Sequence, residues 1–244
     1  MGSIVALVRQ LDISTIAFLN GFSQHSWLFD SFINHLDNPL IKSAPLVAAL
    51  WWQWCRQYSS QEQQEVRERV ILAILVSFVS IVLARFLALS FYRARPFVDP
   101  TLQFIPPFTF DGKMIATWSS FPSDHVVLFS SLAMSLWYTS KRVGLLAFAW
   151  VFFIIGLPRM YLGIHYPTDI LAGFLIGMGL AWVANAKAVR GILRNVFAVP
   201  AVNWSKKSPK SFYACFFLVT YETANTFDQI RSLAAYLFSI LKHF

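Results

Sequence analysis

The stretch Pro-Arg-Met-Tyr-Leu-Gly-Ile-His-Tyr-Pro-Thr-Asp, residues 158–169, interrupts an otherwise very apolar sequence. It places a guanidinium, an imidazole and a carboxylate between two apolar runs. Two further segments are polar in the same way, Phe-Pro-Ser-Asp-His at residues 121–125 and Arg-Ala-Arg-Pro at residues 93–96. We interpret the chain as a scaffold that brings these three segments together at one membrane surface.

The composition is that of a membrane protein. Of the 244 residues, 57% are hydrophobic and only 13% are charged, whereas about a quarter of a soluble domain is charged. The net charge of +8 comes from basic residues beside apolar runs, which favours membrane lipids as partners and argues against nucleic acid. Cys55 and Cys215 lie in apolar runs and predict neither a disulfide nor a metal site, and we expect no cleavable signal peptide.

Apolar segments predict an all-α membrane bundle of five or six transmembrane helices, with interfacial helices at the N- and C-terminal ends. The expected spans are residues 39–54, 70–92, 124–139, 143–157 and 170–186. Residues 56–69 and 93–120 are too polar to span and are interpreted as loops, the second a candidate lid or rim of the site. Trp51, Trp52 and Trp54 are expected at the membrane interface, and Gly173, Gly177 and Gly179 predict close packing between helices.

Three regions are expected along the chain. Residues 1–38 form an N-terminal interfacial segment, in which residues 13–36 are alternatively a poor first span. Residues 39–190 form the transmembrane domain, with its core at residues 70–186. Residues 191–244 form a basic linker and a C-terminal amphipathic helix, with a sixth span through residues 212–230 as the alternative.

The basic residues predict the orientation. Lys141, Arg142, the tail from Lys187 onward and the 56–69 segment are expected in the cytoplasm, because positive charge is retained on that side. Alternating spans then place residues 93–123 and 158–169 together on the outer side. A miscounted span would divide the polar segments between the two faces.

A nucleophile and its partner are candidates in the third polar segment. His165 and Asp169 are four residues apart, so that a helix beginning at this point would present both on one face. Asp169 could then orient the imidazole, and an imidazole so held can attack phosphorus. His125, at the start of another helix on the same side, is placed to protonate a leaving oxygen.

An anion site is the second expectation. Arg95 and Arg159 carry planar, permanently charged forks that match phosphate oxygens. Ser123 or Asp124 can cap the helix that begins beside them, and its first amide groups form a further anion site. Arginines and amides together can stabilise a transferring phosphoryl group, so no metal is required.

These residues resemble the signature motifs of a known family. Arg95-Pro96, then Pro122-Ser123-Asp124-His125, then Arg159, His165 and Asp169 are similar to the three motifs of the type 2 phosphatidic acid phosphatase superfamily, over roughly residues 70–186. The Phe-Pro-Ser-Asp-His variant and Asn20-Gly21-Phe22-Ser23 resemble most the small bacterial undecaprenyl-diphosphate phosphatases. The resemblance implies that His165 is the nucleophile, Asp169 its orienter and His125 the general acid. It also implies three phosphate ligands, which are Arg95, Arg159 and Ser123.

The chain departs from the family pattern at three positions. Ala88 stands where the first motif usually has a lysine, and Arg85 or Arg93 is the candidate replacement. Asp124 stands where glycine is more frequent, and such a carboxylate beside a phosphate needs a cap role or a cation, which a divalent ion could supply. Pro158 replaces a serine of the third motif, which removes one hydroxyl contact.

The expected function is hydrolysis of the terminal phosphate of an isoprenoid diphosphate, undecaprenyl diphosphate in the first place. A phosphohistidine intermediate would form at the outer face of a bacterial plasma membrane, and the product would serve cell-wall biogenesis. Alternatives in the same superfamily are a phosphatidic acid, phosphatidylglycerophosphate or lipid A phosphatase and a lipid phosphotransferase. A non-catalytic membrane protein is the alternative from another class, and the composition argues against a soluble haloperoxidase. The sequence leaves the oligomeric state open.

Overall fold

Helices make up the fold, as the sequence predicts. The computed structural model describes residues 2–57 and 59–228, and within these residues it contains no β-strand. The first five helices are α1 (Gly2–Asn20), α2 (Trp27–Leu36), α3 (Pro39–Cys55), α4 (Ser60–Ser90) and α5 (Asp124–Thr139). They are followed by α6 (Lys141–Trp150), α7 (Leu157–Tyr161), α8 (Pro167–Asn185), α9 (Lys187–Leu193), α10 (Val199–Lys207) and α11 (Pro209–Ala224).

Within the described residues, three helices are long and apolar enough to cross a membrane. They are α4 with 31 residues, α8 with 19, and the continuous helix Lys141–Tyr161 with 21, which joins α6 to α7 through a π-helical turn. Helices α3 and α5 have 17 and 16 residues, short of the roughly 20 that a bilayer core requires. The expectation of five or six spans therefore stays a prediction for these two helices.

Helix α5 is the centre of the bundle. Its side chains Val126, Leu128 and Leu132 are fully buried, and the helix contacts α3, α4, α6 and α8. Large apolar side chains of the surrounding helices point outward instead, and Leu175 and Trp182 of α8 are 63% and 62% exposed. Lipid is the solvent that such an exposed apolar surface fits.

Close packing between α5 and α8 depends on glycines, as predicted. A methyl group at Gly177 would overlap the Ser130 hydroxyl and the Val127 carbonyl of α5, and one at Gly173 would lie 3.0 Å from Val126. Gly179 has no neighbour within 4 Å of such a methyl group. The predicted small-residue contact is therefore confirmed for Gly173 and Gly177 and wrong for Gly179.

Gly177→Ala is expected to destabilise the bundle, because the obstructing atoms include backbone that cannot rotate away. Overpacking of this kind costs about 1–3 kcal/mol. Gly179→Ala in the same helix is the matched control, and the higher helix propensity of alanine should leave it neutral or slightly stabilised. Thermal unfolding of both variants in one detergent measures the difference, and equal melting temperatures would contradict this packing.

The interpretation of residues 56–69 as a loop is wrong, because α4 already begins at Ser60. Its polar first turns pair along the helix surface, where Arg69 lies 2.9 Å from Glu65. They also pair with the C-terminal region, since Arg190 contacts Glu65 at 2.9 Å and Arg194 contacts Glu68 at 2.6 Å. Glutamine, glutamate and arginine are good helix formers, so their polarity indicated exposure rather than a loop.

The aromatic group at the end of α3 lies partly inside the protein. Trp54 is fully buried, stacks on Phe212 of α11 with ring centroids 5.2 Å apart, and donates its indole N–H to the Tyr213 hydroxyl. Trp52 is 50% exposed. Trp54 therefore packs α3 against α11, and the interfacial depth of the tryptophan group stays a prediction.

The N-terminal region is helical, as expected, whereas the expected basic linker is not a loop. The first residues form two helices, α1 and α2, separated by a turn. Residues 187–207, which include much of the expected basic linker, form one helical stretch in which a π-helical turn joins α9 to α10. Helix α11 has 16 residues and is not one of the three candidate spans. The expected C-terminal amphipathic helix lies almost entirely in residues 229–244, outside the described residues.

Pro158 is accommodated inside the helix Lys141–Tyr161. A proline lacks a donor and its ring displaces the preceding turn. Here the π-helical turn Val151–Gly156 widens the helix just before it, and the Leu157 N–H bonds to the Phe152 carbonyl. The helix therefore continues past the proline to Tyr161, and it carries Arg159 in its last turn instead of in a loop.

Candidate active site

The three polar segments meet at one end of the bundle. Arg93 lies 2.7 Å from Asp169, and the Ser123 N–H donates to the Asp169 carbonyl at 3.3 Å. Arg85, near the end of α4, lies 2.6 Å from Asp124 at the start of α5. The convergence that the sequence predicts is therefore observed, and the lysine- and arginine-rich helix ends lie at the opposite end.

His165 is buried, with 1% of its surface exposed, in the turn between α7 and α8. Its Nδ1 lies 2.6 Å from the Ser120 carbonyl oxygen. A carbonyl can only accept, so Nδ1 carries the proton and Nε2 keeps its lone pair. Nη1 of Arg159 lies 3.2 Å from Nε2 and donates to it.

The environment of His165 keeps the imidazole neutral. Burial lowers its pKa well below the usual value, and the positive charges of Arg95 and Arg159 lower the pKa further. A neutral imidazole whose Nε2 carries no proton has the electronic state that a nucleophile needs, once the hydrogen bond from Arg159 is released. The arrangement of donors around His165 therefore suits it to attack an electrophile bound beside Arg159.

Asp169 lies near His165 without sharing a hydrogen bond with it. The distance from its Oδ2 to His165 Nδ1 is 3.9 Å, whereas the same oxygen accepts the Tyr166 N–H at 2.8 Å. Helix α8 begins at Pro167, so His165 precedes the helix. The expectation that His165 and Asp169 lie on one face of this helix is therefore wrong. The Ser120 carbonyl holds the imidazole, and Asp169 fixes the turn that carries it.

Arg93 connects Asp169 to the N-terminal helix. Its guanidinium donates to Asp169 and to Asp12, each at 2.7 Å, and to the Thr168 hydroxyl at 2.8 Å. It also stacks over the Tyr166 ring at 3.8 Å. Arg93 therefore supports the turn, and these contacts do not favour it as the replacement for the missing lysine. Sequence reasoning missed Asp12, whose only signal was an acid in an apolar N-terminal run.

Asp12→Ala is expected to weaken this support. Asp12 is 1% exposed and accepts hydrogen bonds from Arg93, the Thr168 N–H and the Thr168 hydroxyl. Breaking such charged hydrogen bonds costs about 1.5–3 kcal/mol each when buried, and less here because Arg93 is partly exposed. We expect a lower melting temperature and a reduced kcat with little change in KM. Asp111→Ala is the exposed control, and an unchanged melting temperature for Asp12→Ala would contradict the role.

Arg95 is buried and donates to backbone carbonyls. Its three contacts, to Trp118, Ser119 and Ile164, are each 3.2 Å long. Burial lowers its pKa to about 10, although Asp124 acts in the opposite direction, so the guanidinium remains charged at neutral pH. Arg95 thus ties the segment before α5 to the turn of His165, and its role as a phosphate ligand stays a prediction.

Asp124 is surrounded by cationic partners. Its Oδ2 contacts Arg85 at 2.6 Å, and its Oδ1 lies 2.8 Å from Nδ1 of His125 and 3.9 Å from Arg159. Because a carboxylate accepts, the Nδ1–H of His125 donates and Nε2 of His125 faces away from Asp124. Asp124 therefore orients His125, and Arg85 supplies the cation that this extra carboxylate requires.

Ser123 has a buried hydroxyl without a hydrogen-bond partner in the described part of the chain. The residue precedes the first turn of α5 as its N-cap, but its side chain does not make the cap hydrogen bond. A buried polar atom without a partner costs free energy, and a bound ligand is one means of satisfying it. The hydroxyl therefore fits its predicted role as a phosphate ligand, and that role stays a prediction.

Sequence reasoning missed two further residues, Asp37 and Lys42. Asp37 lies in the turn between α2 and α3, and its Oδ1 is 3.0 Å from Lys42 Nζ and 3.1 Å from Arg159 Nε. Burial alone would raise the pKa of Asp37, but Arg159 and Lys42 outweigh it and lower the pKa to about 2. Asp37 therefore stays ionised and bridges two cations of the site.

No cluster suited to a metal ion occurs among residues 2–57 and 59–228, since no three His, Cys, Asp or Glu side chains converge there. Asp124, the residue at which the sequence suggests a divalent ion, is ion-paired with arginine. The dependence of the activity on a divalent cation bound through Asp124 stays a prediction.

The segment between α4 and α5, interpreted as a lid, is fastened by the N-terminal region. The Asn20 side chain bonds both the N–H and the carbonyl of Ile105, at 2.9 and 2.7 Å. Buried Asp30 accepts the Phe108 N–H at 2.9 Å and also contacts the Tyr161 hydroxyl. The N-terminal region therefore holds this segment in place, and its role as a lid stays a prediction.

The sequence matches one known family over half of its length. The PAP2 superfamily matches residues 69–190, which carry all three polar segments. The chain belongs to this superfamily. It is therefore a PAP2-type membrane phosphatase, and the resemblance of the motifs is confirmed.

Relatives of this PAP2 chain differ in the substrates that their names state. Undecaprenyl-diphosphatase BcrC of Bacillus subtilis (strain 168) is 24% identical over 164 residues, which are 66% of this chain and 75% of that protein. Lipid A 1-phosphatase of Rhizobium johnstonii is 30% identical over 182 residues, 70% of this chain and 64% of that protein. The crystal structure of a PAP2-type phosphatidylglycerolphosphate phosphatase from Bacillus subtilis has a TM-score of 0.51 at 19% identity, and the match covers 78% of this chain and 88% of that one. It supports the PAP2 fold alone.

Proposed function

We propose that the protein hydrolyses the terminal phosphate of an isoprenoid diphosphate, with undecaprenyl diphosphate as the first candidate, through a phosphohistidine at His165. The observation that carries the proposal is the buried His165, whose proton is directed to Ser120 while its Nε2 lone pair faces Arg159. Ser123, with its unsatisfied hydroxyl, belongs to the same end of the bundle. The arrangement provides a nucleophile beside donors for phosphate oxygens.

In the first step, Nε2 of His165 attacks the terminal phosphorus. The negatively charged substrate favours protonation of Nε2 of His125 from solvent as it binds. The bond from phosphorus to the bridging oxygen then breaks, and the leaving lipid phosphate takes this proton from Nε2 of His125. Arg159, released from His165 as the phosphate enters, binds the phosphoryl oxygens together with Arg95 and Ser123. Asp124 accepts from Nδ1 of His125 and stabilises the imidazolium that donates the proton.

In the second step, water attacks the phosphohistidine. His125, now neutral, takes a proton from the water as the bond between phosphorus and Nε2 of His165 breaks. Inorganic phosphate leaves, and the imidazole recovers its lone pair. Asp169 touches no reacting atom in this mechanism and acts as a positioning residue, because it holds the Tyr166 N–H and Arg93.

A lipid substrate fits the surroundings of the site. Phe86, Leu89 and Phe91 are 64%, 87% and 61% exposed at the end of α4, next to Arg85. An apolar tail could lie against these side chains while the charged head reaches the arginines. An undecaprenyl-diphosphatase among the relatives supports the isoprenoid diphosphate. A lipid A phosphate is the second candidate, because a relative of higher identity is named a lipid A 1-phosphatase.

The orientation is part of the proposal. Lys141, Arg142 and Lys187 lie at the end of the bundle opposite His165, as the contact between Arg190 and the start of α4 illustrates. Retention of positive charge in the cytoplasm favours a site that opens to the outside of a bacterial plasma membrane. A product released there would return to the lipid-carrier cycle of cell-wall biogenesis.

Phosphate release by purified protein in detergent tests the function. Undecaprenyl diphosphate, phosphatidic acid and lipid A are compared with and without EDTA, with His165→Ala as the blank and the exposed His25→Ala as the matched control. Preference for the diphosphate, lost only in His165→Ala, is expected. Preference for another lipid would contradict the proposed substrate. Transfer of the phosphoryl group to an added lipid acceptor, instead of to water, would identify a transferase. No release above the blank would support the hypothesis of a non-catalytic protein. Loss of activity with EDTA would show that a divalent cation is required, for which Asp124 is the candidate ligand.

A further inference from the structure

Lys42 is a buried cation that the proposed mechanism does not use. It lies in the apolar helix α3, one turn after its start, and only 3% of its surface is exposed. Burying an ammonium group in such a place is costly, and such residues are usually functional. Its ion pair with Asp37 offsets part of this cost and leaves open why a lysine is present at all.

Asp37 holds Lys42 beside the site. A single oxygen of Asp37 contacts Lys42 Nζ at 3.0 Å and Arg159 Nε at 3.1 Å. One carboxylate oxygen between two cations is the arrangement that a phosphate oxygen would also adopt. In the free protein, Asp37 thus pairs with Lys42 and Arg159. A bound phosphate can replace Asp37 as the partner of these two cations.

Lys42 also shares a cavity with His125. This cavity of about 180 Å³ is lined by Lys42, His125, Phe129 and the residues that follow α11, namely Asn225, Thr226 and Asp228. The Asp228 carboxylate lies 4.0 Å from Arg85. His165 is not among its lining residues. Lys42 therefore lies beside the proton donor, and it is linked to the nucleophile only through Asp37 and Arg159.

The position next to His125 determines which part of a substrate Lys42 meets. In the mechanism above, His125 protonates the leaving group, so the cavity receives that group. For a diphosphate the leaving group is a phosphate that carries negative charge. For a phosphomonoester it is an alcohol, which has no charge for a lysine to bind.

We propose that Lys42 binds the second phosphate of a diphosphate substrate and thereby selects diphosphates over phosphomonoesters, while Asp37 releases Lys42 and Arg159 as the substrate enters. This inference rests on the proposed function and adds to it a residue that decides the substrate class. Lys42 also gives this site a lysine from α3, whereas the lysine that Ala88 replaces would lie in α4.

The test compares two substrates with the same tail, farnesyl diphosphate and farnesyl monophosphate. Lys42→Met is expected to lower kcat/KM for the diphosphate roughly 30- to 100-fold, the effect of one charged hydrogen bond, and that for the monophosphate by a few-fold at most. Lys42→Arg should restore most of the wild-type preference, measured as kcat/KM for the diphosphate divided by kcat/KM for the monophosphate. Lys206→Met removes an exposed lysine far from the site and serves as the matched control.

Asp37→Asn is the second variant, which retains Lys42 if Lys42→Met fails to fold. Weakening the carboxylate that competes with phosphate is expected to lower KM for the diphosphate several-fold. An equal loss for both substrates in Lys42→Met, or a higher KM for the diphosphate in Asp37→Asn, would overturn the selective role while the proposed function stands. A wild-type protein that hydrolyses neither substrate would overturn both.

Discussion

Replacing His165 by alanine is expected to lower kcat by about 10⁴-fold or more, the loss seen when a covalent nucleophile is removed. The alanine variant keeps Arg95, Arg159 and Ser123, so the phosphate site remains, but no atom is left to form the phosphoenzyme. KM should change much less than kcat. Initial rates with farnesyl diphosphate in detergent measure both constants.

His25→Ala controls for the loss of a histidine in general, because His25 is exposed and lies outside the site. Thermal unfolding of both variants shows whether the bundle is intact. A folded His165→Ala variant that retains a tenth of the wild-type kcat would contradict the assignment of the nucleophile. The double-displacement mechanism would then have to be abandoned.

Replacing His125 by alanine is expected to lower kcat by about 10²- to 10⁴-fold, the range for removal of a general acid. The loss should depend on the substrate. An alcohol leaves poorly without a proton, so the loss with farnesyl monophosphate should approach the upper limit. A phosphate leaves more readily, because its second pKa is about 6, and the loss with farnesyl diphosphate should be smaller.

This dependence is opposite to that of Lys42→Met, which should affect the diphosphate more. The pair of variants therefore separates proton donation from charge stabilisation with the same two substrates. An aryl phosphate, whose leaving group needs no proton, should restore much of the activity of His125→Ala. Equal losses with all three substrates would show that His125 is not the proton donor.

Much of the fold follows from the sequence where one signal dominates. Helix α5 covers residues 124–139 as predicted, because a polar start and a basic turn bound one apolar run. The start of α4 and the burial of Trp54 could not be predicted in the same way. Both depend on partners far along the chain, Arg190 and Arg194 in one case and α11 in the other.

The candidate site also has features that the sequence predicts and features that it does not. Motif order and topology were enough to bring Arg95, Asp124, Arg159 and His165 to one end of the bundle. The partner of His165 was not predictable, because the Ser120 carbonyl has no side-chain signature and the spacing of His165 and Asp169 suggested a different contact. Lys42 did leave a signal, because an ionisable residue inside an apolar helix usually faces the interior of the bundle and has a function.

Trapping the phosphoenzyme is the decisive experiment on whether His165 is the nucleophile. Protein incubated with farnesyl diphosphate labelled in its terminal phosphate is denatured within the first turnover, and the labelled peptide is identified. We expect label on His165 that is stable in alkali and lost in acid, and no label in His165→Ala. Normal turnover without label at His165, or label at another residue, would contradict the phosphohistidine mechanism.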